Sequence, residues 1–133
     1  MMQHETQIMQ SKLGRVRGLG SAKDGTHHWW MQRVTALALI ILSVWFVGSM
    51  LAFIGADRST VMGWVALPWN AIMIALFTVT AIYHGSLGLQ VVIEDYVHGH
   101  GKKILLLVLI RFIMVLASAM TLFAVLKIAF THA

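Results

Sequence analysis

Residues 34–56 read VTALALIILSVWFVGSMLAFIGA, 23 positions without a formal charge. A helix of about 20 apolar residues crosses a hydrocarbon core roughly 30 Å thick. The stretch therefore reads as a membrane span and sets the fold class for what surrounds it. Upstream, Trp29 and Trp30 sit where indole rings favour the lipid–water boundary. Downstream, Asp57 and Arg58 open a short loop. From Ser59 to Ile93 the chain runs 35 residues with no formal charge, too long for one span. Pro68 suits the first turn of a helix, where its missing N–H costs nothing. The second span is expected at 68–93, with Trp64 and Trp69 at its mouth. Residues 94–103 form a polar loop in which Gly99 and Gly101 break the helix. The third span, 104–126, is interrupted only by Arg111. The expectation is an all-α membrane protein with three transmembrane helices, built as a single membrane-anchor domain over residues 1–133.

Composition agrees with this reading. The chain is 59% apolar and 11% charged, against about a quarter charged in a soluble domain. It contains no cysteine, which excludes disulfides, iron–sulfur ligation and covalent c-type haem within this chain. Any electron-transfer role would need a cofactor held without a covalent bond.

The formal net charge is +5, and the basic residues fall mainly in two patches. That pattern reads as membrane orientation before nucleic-acid binding. Residues 1–33 form a polar N-terminal segment carrying Lys12, Arg15, Arg17, Lys23 and Arg33, with Gly14, Gly18, Gly20 and Gly25 expected to keep it flexible. It lacks the apolar core and small-residue cleavage site of a secretory signal. The second loop adds Lys102 and Lys103, whereas the opposite side has only Arg58 and Lys127. The N terminus and second loop are thus expected on the cytoplasmic or matrix side.

His84 is the only histidine inside a span. It reads either as a helix-packing histidine or as a functional one, and polar groups inside membranes weight the second reading. Thr80, His84, Gly88 and Asp95 share one helical face by their spacing. Gly88, one turn from His84, would let a flat macrocycle approach the backbone; alternatively Gly85 and Gly88 allow close helix packing. Neutral imidazole is a good axial ligand to haem iron, and a low-spin haem needs a second ligand, here from another chain. Asp95 and Tyr96 lie about 17 Å beyond His84 along a helix, near the basic interface. They read as ordinary helix-end residues, or as a quinone pocket in which a phenol donates to a carbonyl. Arg33 reads as an interfacial arginine or as a cation beside a haem propionate or quinone oxygen, with His27 and His28 just outside, either assisting it or simply solvated. Arg111 should face protein or a polar cavity, or reach back to the surface. His98 and His100 read as solvated loop residues.

Two local patterns are more specific than any one residue. The first is Gly25-Thr26-His27-His28-Trp29-Trp30-Met31-Gln32-Arg33-Val34-Thr35-Ala36, and the second is His84-x3-Gly88-x6-Asp95-Tyr96. Together with the three-span layout they resemble the hydrophobic membrane-anchor subunit of succinate dehydrogenase (succinate:quinone oxidoreductase). The resemblance covers roughly residues 20–100. It implies that His84 is the haem b axial ligand, with Gly88 at the close approach to haem. It implies that Asp95 and Tyr96 border the ubiquinone site, and that Arg33 and His27 lie near the haem propionates. It further implies a heteromeric helix bundle. A cytochrome b subunit supplies the other haem ligand, and an iron–sulfur subunit and a flavoprotein carrying FAD dock on the basic side. The signatures of the sister cytochrome subunit, Ser-x-x-His-Arg-x-Thr/Ser-Gly and His-x-x-Arg-His, do not occur here.

By that resemblance the complex passes electrons from succinate to ubiquinone in the bacterial cytoplasmic membrane, with the mitochondrial inner membrane as the alternative location. This chain would be an enzyme only as part of the complex, since it has no dinucleotide-binding glycine motif and no cysteine clusters. Three other readings stand beside it. They are the anchor of a quinol:fumarate reductase, a small homo-oligomeric transporter or proton channel using His84 and Arg111, and a structural assembly factor.

Overall fold

The computed structural model describes Leu13, Val16 and residues 23–132. Lys12, Arg15, Arg17, Gly14, Gly18 and Gly20 of the basic segment lie outside the described residues. Residues 23–132 form four helices: α1 (Lys23–Ala52), α2 (Arg58–Ala66), α3 (Pro68–Tyr96) and α4 (His100–Thr131). No strand occurs among the described residues. Three helices, α1, α3 and α4, are long and apolar enough to cross a membrane. In hydrocarbon every backbone N–H and C=O needs an internal partner, which a helix provides.

The helices outrun the apolar stretches. α1 begins at Lys23 rather than near Val34, so His27, His28 and Arg33 ride on a helix and not in a flexible segment. A glycine such as Gly25 costs about 1 kcal/mol in a helix interior, but extending a helix from an existing nucleus is cheap. The loop at 94–103 shrinks likewise. Gly99 is extended at the N-cap of α4, while Gly101 is helical, in the first turn.

Between the first two spans lies a helix that the charge pattern does not indicate. α1 ends in a turn in which Gly55 adopts φ +83°, a left-handed conformation that glycine takes without strain. Asp57 then caps α2, accepting from the Ser59 amide at 3.0 Å and the Thr60 amide at 3.3 Å. It also accepts from both hydroxyls. The Ser59 hydroxyl foremost, then the Thr60 hydroxyl and the two amides, hold this carboxyl well below the ordinary carboxylate range. Leu67 is extended, as a residue before proline must be, and Pro68 opens α3. Buried Asn70 reaches back to donate to the Trp64 carbonyl at 2.8 Å, closing the corner.

α3 is the central element. It packs against both α1 and α4, which do not pack against each other. Phe46 and Phe77 stack across α1 and α3 at 4.7 Å, and Trp64 of α2 packs on Trp45 of α1 and on Phe53 in the turn after it. Among the described residues few side chains are buried, and no large one completely. The apolar faces of all three long helices stay open to lipid or to other subunits.

Candidate functional site

Below the Phe46–Phe77 stack, toward the start of α1, the two helices meet again through polar atoms. Thr35 Oγ1 lies 2.8 Å from His84 Nδ1. Thr35 is 7% exposed, and its hydroxyl donates to the Met31 carbonyl at 2.7 Å, with the Gln32 carbonyl at 3.3 Å. Such back-bonding to the preceding turn is the usual recourse of a helical threonine in apolar surroundings. Here the oxygen's lone pairs also meet a histidine from the neighbouring helix.

Beside this pair runs a groove of about 520 Å³, lined by His28, Trp29, Gln32, Arg33, His84 and Gly88 among others. The side of His84 and Gly88 expected to matter is thus the side that opens on it. A Cβ built on Gly85 or Gly88 would meet nothing within 4 Å, so neither glycine serves close packing within this chain. The Arg33 guanidinium lies 5.5 Å from the ring centroid of Trp29, one turn earlier, a cation–π distance that holds it at the groove. Two buried atoms in the groove wall, His28 Nε2 and Gln32 Oε1, have no hydrogen-bond partner among the described residues. Buried polar atoms are nearly always satisfied, so these two mark the wall as incompletely paired within the described residues.

His27 does not line this groove. It lines a second groove of about 510 Å³, with His28, Tyr83, Ser86, Gln90 and Arg111. The helical phase of residues 23–33 lets His28 line both grooves while His27 lines only the second, a distinction that a reading of this stretch as flexible could not make. Arg111 therefore faces a partly polar groove.

Asp95 and Tyr96 occupy the last turn of α3 and are both exposed, Tyr96 at 78%. Neither lines the His84 groove. The preceding residue, Glu94, is held twice. Gln90 donates to the Glu94 carboxylate at 2.8 Å, and Lys103 Nζ donates to the Glu94 carbonyl at 2.7 Å. Lys102 and Lys103 also place positive charge beside the negative end of α3.

No group of three or more His, Cys, Asp or Glu able to hold a metal ion occurs among the described residues. A lone imidazole does suit a metal whose other ligands are supplied elsewhere, as haem iron is by its porphyrin and an opposite axial ligand. The open backbone at Gly88, the unsatisfied Nε2 of His28 and the Arg33 cation fit a flat ring bearing carboxylates; the Gln32 amide oxygen, an acceptor, would not meet a carboxylate. Sequence reasoning brings in His28 only as a neighbour that could assist Arg33, and does not single out Thr35 or Gln32. The one signal for Thr35 is a polar residue two positions after Arg33 in an apolar run.

Comparison with known proteins agrees with this architecture. Residues 7–126 match the family described as the succinate dehydrogenase/fumarate reductase transmembrane subunit. A succinate dehydrogenase hydrophobic membrane anchor subunit of Rickettsia bellii is 32% identical over 111 residues, covering 84% of this chain and 89% of that protein. The corresponding subunit of Rickettsia conorii is 34% identical over 103 residues, covering 77% and 82%. A succinate dehydrogenase membrane anchor subunit of Reclinomonas americana is 36% identical over 94 residues, covering 68% and 78%. No solved structure matches the chain significantly. With three membrane-length helices and a match over nearly its whole length, the chain belongs to the succinate dehydrogenase/fumarate reductase transmembrane subunit family.

Proposed function

We propose that this chain anchors a succinate dehydrogenase in the bacterial cytoplasmic membrane, holds haem b on His84 together with a cytochrome b partner, and contributes Asp95 and Tyr96 to the site where ubiquinone is reduced. The observation that carries the proposal is the groove at His84. One imidazole, one bare glycine and one arginine converge there on space that this chain leaves open, in a wall that also holds two unsatisfied buried polar atoms. The relatives are named for succinate dehydrogenase, which favours succinate oxidation over fumarate reduction. Family membership also argues against the transporter reading.

Haem b, when bound, supplies a one-electron store within the membrane. His84 would give it an axial nitrogen, and Gly88 would let its ring approach α3. Arg33 would face its propionates, with His28 able to donate to them from the same wall. Only His28 of the two lines the His84 groove, which makes it the better candidate.

At the end of α3, Tyr96 would hydrogen-bond a quinone carbonyl through its phenol. Asp95 would hold or relay a proton from the water side, because reducing a quinone to a quinol takes up two protons. Both side chains are exposed in this chain, so the remaining walls would come from the cytochrome b and iron–sulfur subunits. FAD and the iron–sulfur clusters would belong to the soluble subunits. The second loop, with Lys102 and Lys103, and the start of α1 would face the cytoplasm, where those subunits dock.

The test is a dithionite-reduced minus oxidised spectrum of the gently solubilised complex, with its subunits identified by mass. A b-type α band alongside a flavoprotein and an iron–sulfur protein is expected. The same partners without haem would remove His84 as a ligand, and no partners would remove the anchor role.

A further inference from the structure

Counting protons around Thr35 assigns the tautomer of His84. The Thr35 hydroxyl has one proton and three neighbours: the Met31 carbonyl at 2.7 Å, the Gln32 carbonyl at 3.3 Å and His84 Nδ1 at 2.8 Å. Carbonyl oxygens only accept. Two oxygens 2.7 Å apart repel unless a proton lies between them, so the hydroxyl proton belongs to Met31. Nδ1 must then donate, and its proton points at a lone pair of Thr35 Oγ1. A neutral imidazole protonated at Nδ1 has its lone pair at Nε2.

We propose that Thr35 is a positioning residue for the haem site. It locks His84 as the Nδ1–H tautomer, fixes the ring plane from α1, and so presents an unprotonated Nε2 to the groove that His84 lines. The proposal rests on the haem reading above. Hydrogen bonding of the second ring nitrogen orients a ligating histidine and raises its basicity, and losing such a partner typically costs about 10–100-fold in metal affinity. Thr35 suits the task because it is buried, β-branched and anchored by its own back-bond to Met31. The ligand on α3 is thereby held by a residue on α1, so the site depends on the docking of two helices.

The experiment compares the parent complex with Thr35→Val, Thr35→Ala and Thr35→Ser, each purified intact from its own membranes and normalised to bound flavin. Two quantities are read. One is the rate of haem release to excess apomyoglobin, and the other is the haem midpoint potential. Val and Ala, lacking the hydroxyl, should release haem about 10-fold faster or more. Their potentials should shift upward, because a less basic ligand stabilises ferric iron less. Ser should restore both. Using Val and Ala together keeps the test standing if one of them fails to assemble. Parent-like release and potential in the hydroxyl-free variants overturn the proposal. So does equal loss in Ser, which would assign the effect to the methyl group's packing. A parent complex without haem overturns the haem reading itself, and this proposal with it.

Discussion

Thr35 and His84, 49 positions apart in the chain, bring Oγ1 and Nδ1 to 2.8 Å between α1 and α3. It is a side-chain hydrogen bond between two membrane-length helices that otherwise meet largely through apolar groups such as Phe46 and Phe77. Interhelical hydrogen bonds in membranes average about 0.6 kcal/mol and reach about 1.7 kcal/mol. The pair is therefore a modest brace and a strong orienting constraint.

His84→Leu separates these two roles. It removes the imidazole while keeping apolar bulk, so the α1–α3 packing should weaken by roughly 0.6–1.7 kcal/mol. The complex should still assemble, with its b-type α band lost. Haem per flavin and the thermal midpoint of the purified complex check both parts. Full haem content in the variant would take His84 out of the site.

Gly88 gives a contrast between the chain and the complex. An added Cβ meets nothing within 4 Å here, so Gly88→Ala should stabilise α3 by about 0.5–1 kcal/mol if this chain alone decides. Gly88→Leu would then be tolerated as well. If a flat ring lies against the backbone, Gly88→Leu should strip haem while the flavoprotein still copurifies. Unchanged haem per flavin in Gly88→Leu would return Gly88 to a role in lipid or in nothing.

The three spans are legible because membrane helices are written in charge-free length. Pro68 marks the start of α3 because its chemistry is local. α2 is not legible by charge, since Asp57-Arg58-Ser59-Thr60 declares a helix only through its capping hydroxyls and carboxylate. The early start of α1 is hidden by its glycines and basic residues, and the phase that sets His28, and not His27, on the His84 groove is hidden with it. In the site, Gly88 follows from its one-turn spacing to His84, and Arg33 from its place at the head of the first span. Thr35 does not follow from any spacing. A threonine in an apolar helix ordinarily bonds its own preceding turn, and nothing local records that a histidine from another helix arrives at the same oxygen.

Tyr96→Phe tests the quinone site with little structural consequence. The ring is 78% exposed, and exposed substitutions usually stay within about 0.5 kcal/mol of neutral. Loss of one hydrogen bond to the quinone should lower succinate:quinone reductase activity by about 10-fold, matching roughly 1.4 kcal/mol. Haem absorbance and electron delivery to a soluble dye should not change. Parent-like quinone activity would remove Tyr96 from the site.

Asp57 supplies a pH dependence with a definite sign. Hydrogen bonds from the Ser59 and Thr60 hydroxyls and amides depress its folded pKa, so the cap's contribution is present above the unfolded value of about 3.9 and is lost only as pH falls through the lower folded value. The first turn of α2 should therefore stay protected at pH 4, where an ordinary aspartate is already about half protonated. Amide hydrogen exchange at Ser59 and Thr60 reads this directly. Asp57→Ala should speed exchange at both amides at pH 4 and above, where the parent's carboxylate is still ionised. Asp57→Asn keeps an acceptor at the N-cap, so it should preserve much of the protection and abolish its loss in acid. Equal exchange in all three proteins would show that Trp64, packed on Trp45 and Phe53, holds α2 in place without the cap.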